Sequence, residues 1–154
     1  MRKFNFNLKN VLMLRKRQEE FAQKQLFIAE EKLKNIEELL RKIENECKLL
    51  EKELREKQKK NQKLVALQEY FFYLQSLRQS IQEHQDELLR AQNFMETKRQ
   101  ELGEATKKKK IMENIKDKQY EEWKETYRKL EIKLIDEMAT LRHIQQKEGL
   151  SHAS

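Results

Sequence analysis

No proline and only two glycines, Gly103 and Gly149, occur in this 154-residue chain. Because these residue types interrupt regular structure most strongly, their scarcity favours long, unbroken helices. Apolar residues also return at alternating steps of four and three, the heptad period of a coiled coil. A helix that carries such a seam between charged faces must bury it against another helix. Two of the fourteen seam positions are polar; the seam comprises Leu8, Leu12, Arg15, Glu19, Ala22, Leu26, Ala29, Leu33, Ile36, Leu40, Ile43, Cys47, Leu50 and Leu54.

The composition suits a narrow seam better than a compact globule. Hydrophobic residues make up 37% of the chain and charged residues 40%, which leaves too little apolar surface to fill a three-dimensional core. Disorder is the competing interpretation of such polarity. Disordered chains avoid aromatic residues, however, whereas this one keeps seven Phe, four Tyr and one Trp in the helical period.

A looser apolar stripe follows in the second half of the chain. It is predicted at Leu67, Phe71, Leu74, Ile81, Leu88, Met95 and Leu102, with polar interruptions at Arg78, Gln85, Gln92 and Arg99. The stripe fades across residues 106–110. It then returns at Met112, Tyr120, Trp123, Tyr127, Leu130, Leu134, Leu141 and Ile144.

These two stripes predict an all-α fold, a long antiparallel two-helix coiled-coil hairpin. We expect residues 1–154 to form one coiled-coil domain, with helix one at about 7–57, a polar connection at about 58–66, helix two at about 67–147 and a loose tail at 148–154. Asn7 is placed to cap the first helix and Gly149 to end the second. If the chain turns near residue 60, Leu8 pairs with about residue 112. The last 30 or so residues then extend beyond the first helix and leave the aromatic face of Tyr120, Trp123 and Tyr127 unpaired.

No constellation of catalytic or metal-binding residues stands out. Cys47 is the only cysteine and lies on the seam, which predicts a buried, reduced thiol. The three histidines, His84, His143 and His152, share no metal-ligand spacing with it. Neither a glycine-rich phosphate loop nor a carboxylate pair in a concave site is predicted. We therefore expect no enzymatic activity and no cofactor.

The charge distribution points to an acidic partner. The formal net charge is +7, and six basic residues precede the first acidic one, Glu19. That end of the chain should seek an acidic protein surface. Elsewhere Lys and Arg alternate with Glu at helical spacing, which argues against nucleic acid. Since no stretch resembles a membrane span or a secretory signal, we expect a cytoplasmic protein.

Two local features leave alternatives open. The run Lys107 to Lys110 is interpreted either as a solvated helix face or as a docking collar for an acidic protein. The run Tyr70 to Tyr73 holds four aromatic residues that point around the helix at about 100° intervals, so they cannot all enter one seam. This stretch either packs in the core or forms a second, outward binding face.

The opening segment FNFNLKNVLMLRKRQEEFAQKQLFIAEEKL resembles the start of the flagellar export protein FliJ family. The later stretches YFFYLQSLRQSIQEH, KKKIMENIKDKQYEEW and LIDEMA fall in the family's order, so the resemblance covers nearly the whole chain. The matching positions in the opening segment are Phe4, Phe6, Leu8, Val11, Leu12, Arg15, Glu19, Ala22, Leu26 and Ala29.

This resemblance implies a stalk or adaptor of the flagellar type III protein export apparatus. Such a stalk enters the pore of the hexameric export ATPase, promotes its assembly and connects it to the cytoplasmic domain of the membrane export gate. Escort of export chaperones is also implied, as is a peripheral position at the inner membrane. The family's gate-binding face corresponds here to Tyr73, Leu77, Ser80 and His84, with Ser80 where the family has Ala. The basic residues Arg2, Lys3, Lys9 and Arg15 are the candidates for contact with the ATPase.

Other interpretations of the same pattern are a passive coiled-coil scaffold that dimerises through the seam, a basic rod on nucleic acid, and the equivalent stalk of a virulence-type III secretion system. A stalk is expected to be a monomer, paired within one chain. A scaffold is expected to be a dimer.

Overall fold

The computed structural model describes residues 2–60 and 63–152 and confirms the all-α prediction. Two helices, α1 (Lys9–Lys59) and α2 (Leu64–His152), account for nearly all of these residues, and no strand occurs among them. The two helices form a helical hairpin. Part of the predicted connection, Asn61 and Gln62, and the last two residues of the predicted tail lie outside the described residues.

The first helix begins two residues after Asn7. The amide of Lys9 donates to the carbonyl of Phe6 at 3.2 Å, and the amide of Leu12 donates to the carbonyl of Leu8 at 3.0 Å. The opening turn is therefore formed by backbone groups around Phe6, whose ring is buried.

The second helix extends beyond the predicted range at both ends. It begins at Leu64 rather than near residue 67. In its first turn, the amide of Leu67 donates to the carbonyl of Lys63 at 3.2 Å. It also continues through Gly149 to His152. Gly149 does not take the left-handed conformation that ends many helices, so it costs some helix stability without stopping the helix.

The chain divides into two compact units. The central unit is Arg17–Thr106, and the terminal unit combines Met1–Lys16 with Lys107–Ser154. The organisation of the whole chain as a single domain stays a prediction.

In the central unit, the α1 seam lies where the heptad pattern predicts it. All of its positions in this unit, from Glu19 to Leu54, are buried or half-buried. The buried core around Cys47 is formed by side chains of both helices, with Ile43, Leu67, Tyr70 and Ile81 packed against it; it comprises Cys47, Leu50, Leu54, Leu74 and Leu77.

The α2 seam differs from the prediction at every second position. Phe71 is exposed, as are the predicted polar interruptions Arg78, Gln85, Gln92 and Arg99. After Leu67, the next buried or half-buried seam residues are Tyr70 and Leu74, at spacings of three and four. The prediction had Phe71 and Leu74, at spacings of four and three. Both spacings place side chains along one side of a helix, and the large apolar ring of Phe71 led to the incorrect spacing. The observed seam is Leu67, Tyr70, Leu74, Leu77, Ile81, His84, Leu88, Ala91, Met95, Lys98 and Leu102.

In the terminal unit, a smaller core joins the start of the chain to α2. Phe6, Leu12 and Met112 are buried together, with Phe4, Val11 and Ile115 packed against them. Leu12, one helical turn along from the predicted Leu8, is therefore the seam residue that packs with Met112, and the prediction of Leu8 as a seam position is wrong because Leu8 is 38% exposed. This difference arises because α1 ends at Lys59 and α2 begins at Leu64, so that the midpoint between them lies one to two residues beyond residue 60, the predicted centre of the turn.

Candidate partner-binding surfaces

The four residues of the predicted gate-binding face do not share one outward surface. Tyr73 is 48% exposed, but Leu77 is only 9% exposed and belongs to the core around Cys47. Ser80 and His84 are half-buried. The expectation that Leu77 faces outward is wrong, because Leu77 lies on the three-then-four seam that also buries Leu74.

Three of the four consecutive aromatic residues are exposed. Phe71, Phe72 and Tyr73 are open to solvent, whereas Tyr70 packs against the core. The Tyr70 hydroxyl accepts a hydrogen bond from the Lys57 ammonium group, which also lies 3.9 Å from the centre of the Tyr70 ring. The outward part of this segment is therefore Phe71 to Tyr73.

Polar contacts fix the orientation of Tyr73 and His84. The Tyr73 hydroxyl donates to the Glu46 carboxylate of α1, and this bond raises the pKa of Tyr73. The Nδ1 atom of His84 lies 2.7 Å from the carbonyl oxygen of Ser80. Because a carbonyl can only accept, Nδ1 is the donor in this contact. Nearby, Arg78 donates to Glu51 at 3.1 Å, a third bond between the helices.

The predicted ATPase-contact residues lie in the terminal unit. Arg2, Lys3 and Lys9 are exposed, whereas Arg15 is half-buried on the seam. They belong to a segment, residues 2–16, that contains no acidic side chain. Exposed ammonium and guanidinium groups in such a segment can attract carboxylates of another protein.

The aromatic face of the terminal unit is partly covered, which corrects the expectation that it is unpaired. The Phe4 ring lies 5.2 Å from the Tyr120 ring in an edge-on arrangement and 5.9 Å from the Trp123 ring. Trp123 also stacks on Tyr120 and Tyr127. The sequence places Phe4 at the mouth of the seam, but periodicity does not indicate its contact with the aromatic face, because Phe4 precedes α1.

Beyond Tyr127, α2 has no packed neighbour among the described residues. Every described side chain from Arg128 to Ser151 is exposed, and the apolar ones continue the heptad spacing. They include Leu130, Leu134, Leu141 and Ile144.

Formal charge is distributed very unevenly between the two units. In the central unit, 17 basic residues are offset by 18 acidic ones, whereas the terminal unit holds 17 basic and 9 acidic residues. The whole positive excess of the chain therefore belongs to the terminal unit.

Cys47 is buried, as predicted. Burial raises the pKa of its thiol, and the neighbouring Glu51 carboxylate adds to the effect. A thiol in this environment is a poor nucleophile.

In the described part of the chain, no group of three His, Cys, Asp or Glu side chains has the arrangement of a metal site. None of the helical segments described is both long and apolar enough to cross a membrane.

Fold and surface together define an all-α helical hairpin with a cationic terminal unit. The family model described as "Flagellar FliJ protein" matches residues 4–148. The chain therefore belongs to the FliJ family, a non-enzymatic family of flagellar proteins, and has a role related to flagellar export. No curated protein and no solved structure matches the chain.

Proposed function

We propose that this chain is the stalk of the flagellar type III export apparatus. In this role it enters the pore of the hexameric export ATPase, promotes assembly of the hexamer and links it to the cytoplasmic domain of the export gate. It works as a cytoplasmic monomer at the periphery of the inner membrane, without nucleic acid. Escort of export chaperones is part of the same proposal. The observation that carries it is the concentration of unbalanced positive charge in the terminal unit of a helical hairpin from the FliJ family.

The ATPase contact is assigned to Arg2, Lys3, Lys9 and Arg15. Since no acidic residue occurs between residues 2 and 16, their charges are not offset within that segment. Complementary charge accelerates association and selects the partner, and salt weakens it. Contact with an acidic or polar pore therefore suits this end of the chain.

The ATPase assignment is tested by reversing two exposed charges, Lys3→Glu with Lys9→Glu. We expect stimulation of the ATPase to fall while helicity, measured by circular dichroism, stays at the wild-type level. The matched control is Lys48→Glu with Lys52→Glu, which reverses two exposed lysines in the central unit. Unchanged stimulation by the Lys3 and Lys9 variant at physiological salt would assign the contact to other residues.

The gate contact is assigned to the surface around Tyr73, with Ser80 and His84 beside it. Leu77 supports this surface from the core. An exposed tyrosine held by a hydrogen bond to Glu46 is pre-oriented, and such aromatic side chains often dominate binding energy. The neighbouring rings of Phe71 and Phe72 enlarge the apolar area available to a partner.

Two substitutions at one position test the gate assignment. Tyr73→Ala should weaken binding to the purified cytoplasmic domain of the gate by about tenfold or more. Tyr73→Phe keeps the ring and should keep most of the affinity. Leu77→Ala is unsuitable here, because loss of its buried side chain would destabilise the hairpin itself. Wild-type affinity of Tyr73→Ala, measured by calorimetry, would remove this surface from the proposal.

Stoichiometry separates the stalk from a passive scaffold. A stalk is monomeric and binds once per ATPase hexamer, whereas a scaffold that pairs through its seam is a dimer. Sedimentation equilibrium of the free chain and of its complex with the hexamer measures both quantities. A stable dimer of the free chain would contradict the proposal.

A further inference from the structure

The lysine run of α2 belongs to the part of the terminal unit that pairs with α1. Leu12 and Met112 share one buried core. Lys16 lies four residues after Leu12, and Lys108 lies four residues before Met112. Because the two helices are antiparallel, these two lysines lie at about the same level. By the same reasoning, Lys116 lies at about the level of Leu8, next to Lys9.

This paired stretch concentrates basic residues from both helices. Residues 2–16 carry five basic side chains and no acidic one, and residues 107–118 carry six lysines and two acidic residues. Over the remaining residues of the terminal unit, from 119 onward, six basic residues face seven acidic ones. The positive excess is thus confined to the paired stretch.

Folding alone does not explain this arrangement. Among the described residues, no carboxylate lies within ion-pair distance of Lys9, Lys16, Lys108 or Lys110, although such pairs occur elsewhere on α2, for example between Arg128 and Glu125. Positive charges at the same level of two packed helices repel each other. An acidic partner that neutralises this repulsion explains the arrangement better than folding does.

The charges also point in several directions. Four consecutive residues of a helix are spread around it at about 100° intervals. Lys107, Lys108 and Lys110 are exposed, and Lys109 is half-buried towards the seam. Lys9 and Lys16 add charge from α1. A membrane or a nucleic-acid duplex approaches from one side and needs a single basic face.

We infer that Lys9 and Lys16 of α1, with Lys108, Lys110, Lys116 and Lys118 of α2, form a cationic collar that recognises an acidic protein surface surrounding the paired helices. This inference rests on the proposed function, since the pore of the export ATPase is the surrounding surface that it identifies. It adds α2 to a contact so far assigned to the first fifteen residues alone, and it assigns acidic side chains to the wall of the pore at the level of the collar.

The experiment uses the full chain and the purified ATPase hexamer. Lys108→Glu with Lys110→Glu should weaken binding about tenfold or more at low salt, and the difference from wild type should shrink between about 0.05 and about 0.3 M NaCl. The matched control is Lys32→Glu with Lys34→Glu, two exposed lysines at the same spacing on α1 in the central unit. The control should bind like the wild type.

A second pair of substitutions separates binding from folding. Lys108→Gln with Lys110→Gln removes repulsion without adding negative charge, so its melting temperature should equal or exceed that of the wild type while its affinity for the ATPase falls. A lower melting temperature together with unchanged affinity would show that these lysines serve the fold, and would overturn the inference.

The remaining outcomes distinguish the two proposals. If the wild type binds the hexamer and the Lys108 and Lys110 variants bind equally well, the collar is wrong and the stalk remains. If the wild type does not bind the hexamer at all, the proposed function fails and the collar fails with it. Tighter, lysine-dependent binding to phosphatidylcholine–phosphatidylglycerol vesicles or to duplex DNA would reassign the lysines to a lipid surface or to nucleic acid, and would also overturn the inference.

Discussion

Residues 43–54 of α1 and residues 128–151 of α2 carry a similar apolar rhythm but differ completely in burial. In the first region Cys47, Leu50 and Leu54 are buried against side chains of α2. In the second, Leu134 is 55% exposed, and every other described side chain is exposed as well. A heptad pattern thus specifies which side of a helix can be buried. Only a second helix at that level turns the pattern into a core.

The largest expected effect is in the central core. Leu50→Ala should lower the free energy of unfolding by about 2 to 4 kcal/mol, because it removes buried methyl groups and leaves a cavity. Leu49→Ala is the matched control: Leu49 is 66% exposed and Leu50 8% exposed. Urea denaturation followed by circular dichroism measures both. Equal midpoints for the two variants would show that the seam has a different register in solution.

A smaller effect is expected where the seam uses alanine. Ala29 is only 2% exposed, so Ala29→Leu should crowd the helix interface and cost about 1 to 3 kcal/mol of stability. Ala139→Leu places the same side chain on the exposed segment of α2 and should change stability little. Thermal unfolding of the two variants compares them directly. A neutral Ala29→Leu would mean that the helices can separate locally without cost.

The exposed segment of α2 should respond weakly to truncation. Leu134→Ala and Leu141→Ala are expected to change the free energy of unfolding by less than about 0.5 kcal/mol, because neither side chain is packed. Amide hydrogen exchange should also be faster in residues 128–148 than in residues 43–54, since tertiary packing supplies most helix stability. Strong protection of residues 128–148 that rises with protein concentration would reveal self-association.

The smallest effect concerns the hydrogen bond from Tyr73 to Glu46. Because this bond raises the pKa of Tyr73, the unfolded chain loses the phenol proton first as the pH rises. The stabilisation from the bond is therefore present below the ordinary tyrosine pKa of about 10 and is lost above it. A spectrophotometric titration should show one late-ionising tyrosine that disappears in Tyr73→Phe. Glu46→Gln should return the titration of Tyr73 to the ordinary range. A tyrosine titration curve that is the same in Glu46→Gln as in the wild type would exclude the bond in solution.

The sequence was a reliable guide wherever a long, regular pattern determined the outcome. The scarcity of glycine and proline and the four-then-three seam of α1 predicted two long helices, the hairpin, and the burial of Ala29, Leu40 and Cys47. These features are local, because heptad spacing places side chains on one side of a helix whatever the rest of the chain does. The family resemblance, carried by Phe4, Phe6 and the seam, was confirmed by the family match.

Tertiary structure decided the features that depend on the opposite helix. Both Tyr70 and Phe71 fit the period of α2, and only packing against α1 selected Tyr70 for the seam and left Phe71 outside it. The same packing turned Leu77 inward. Phe4 covers Tyr120 because the antiparallel fold brings residues more than a hundred positions apart into contact, which periodicity along one segment does not encode. The sequence by itself thus determined the two helices and the apolar side of α1. Which side chains of α2 are buried was decided only by the pairing of the two helices, because a side chain is buried only where another helix covers it.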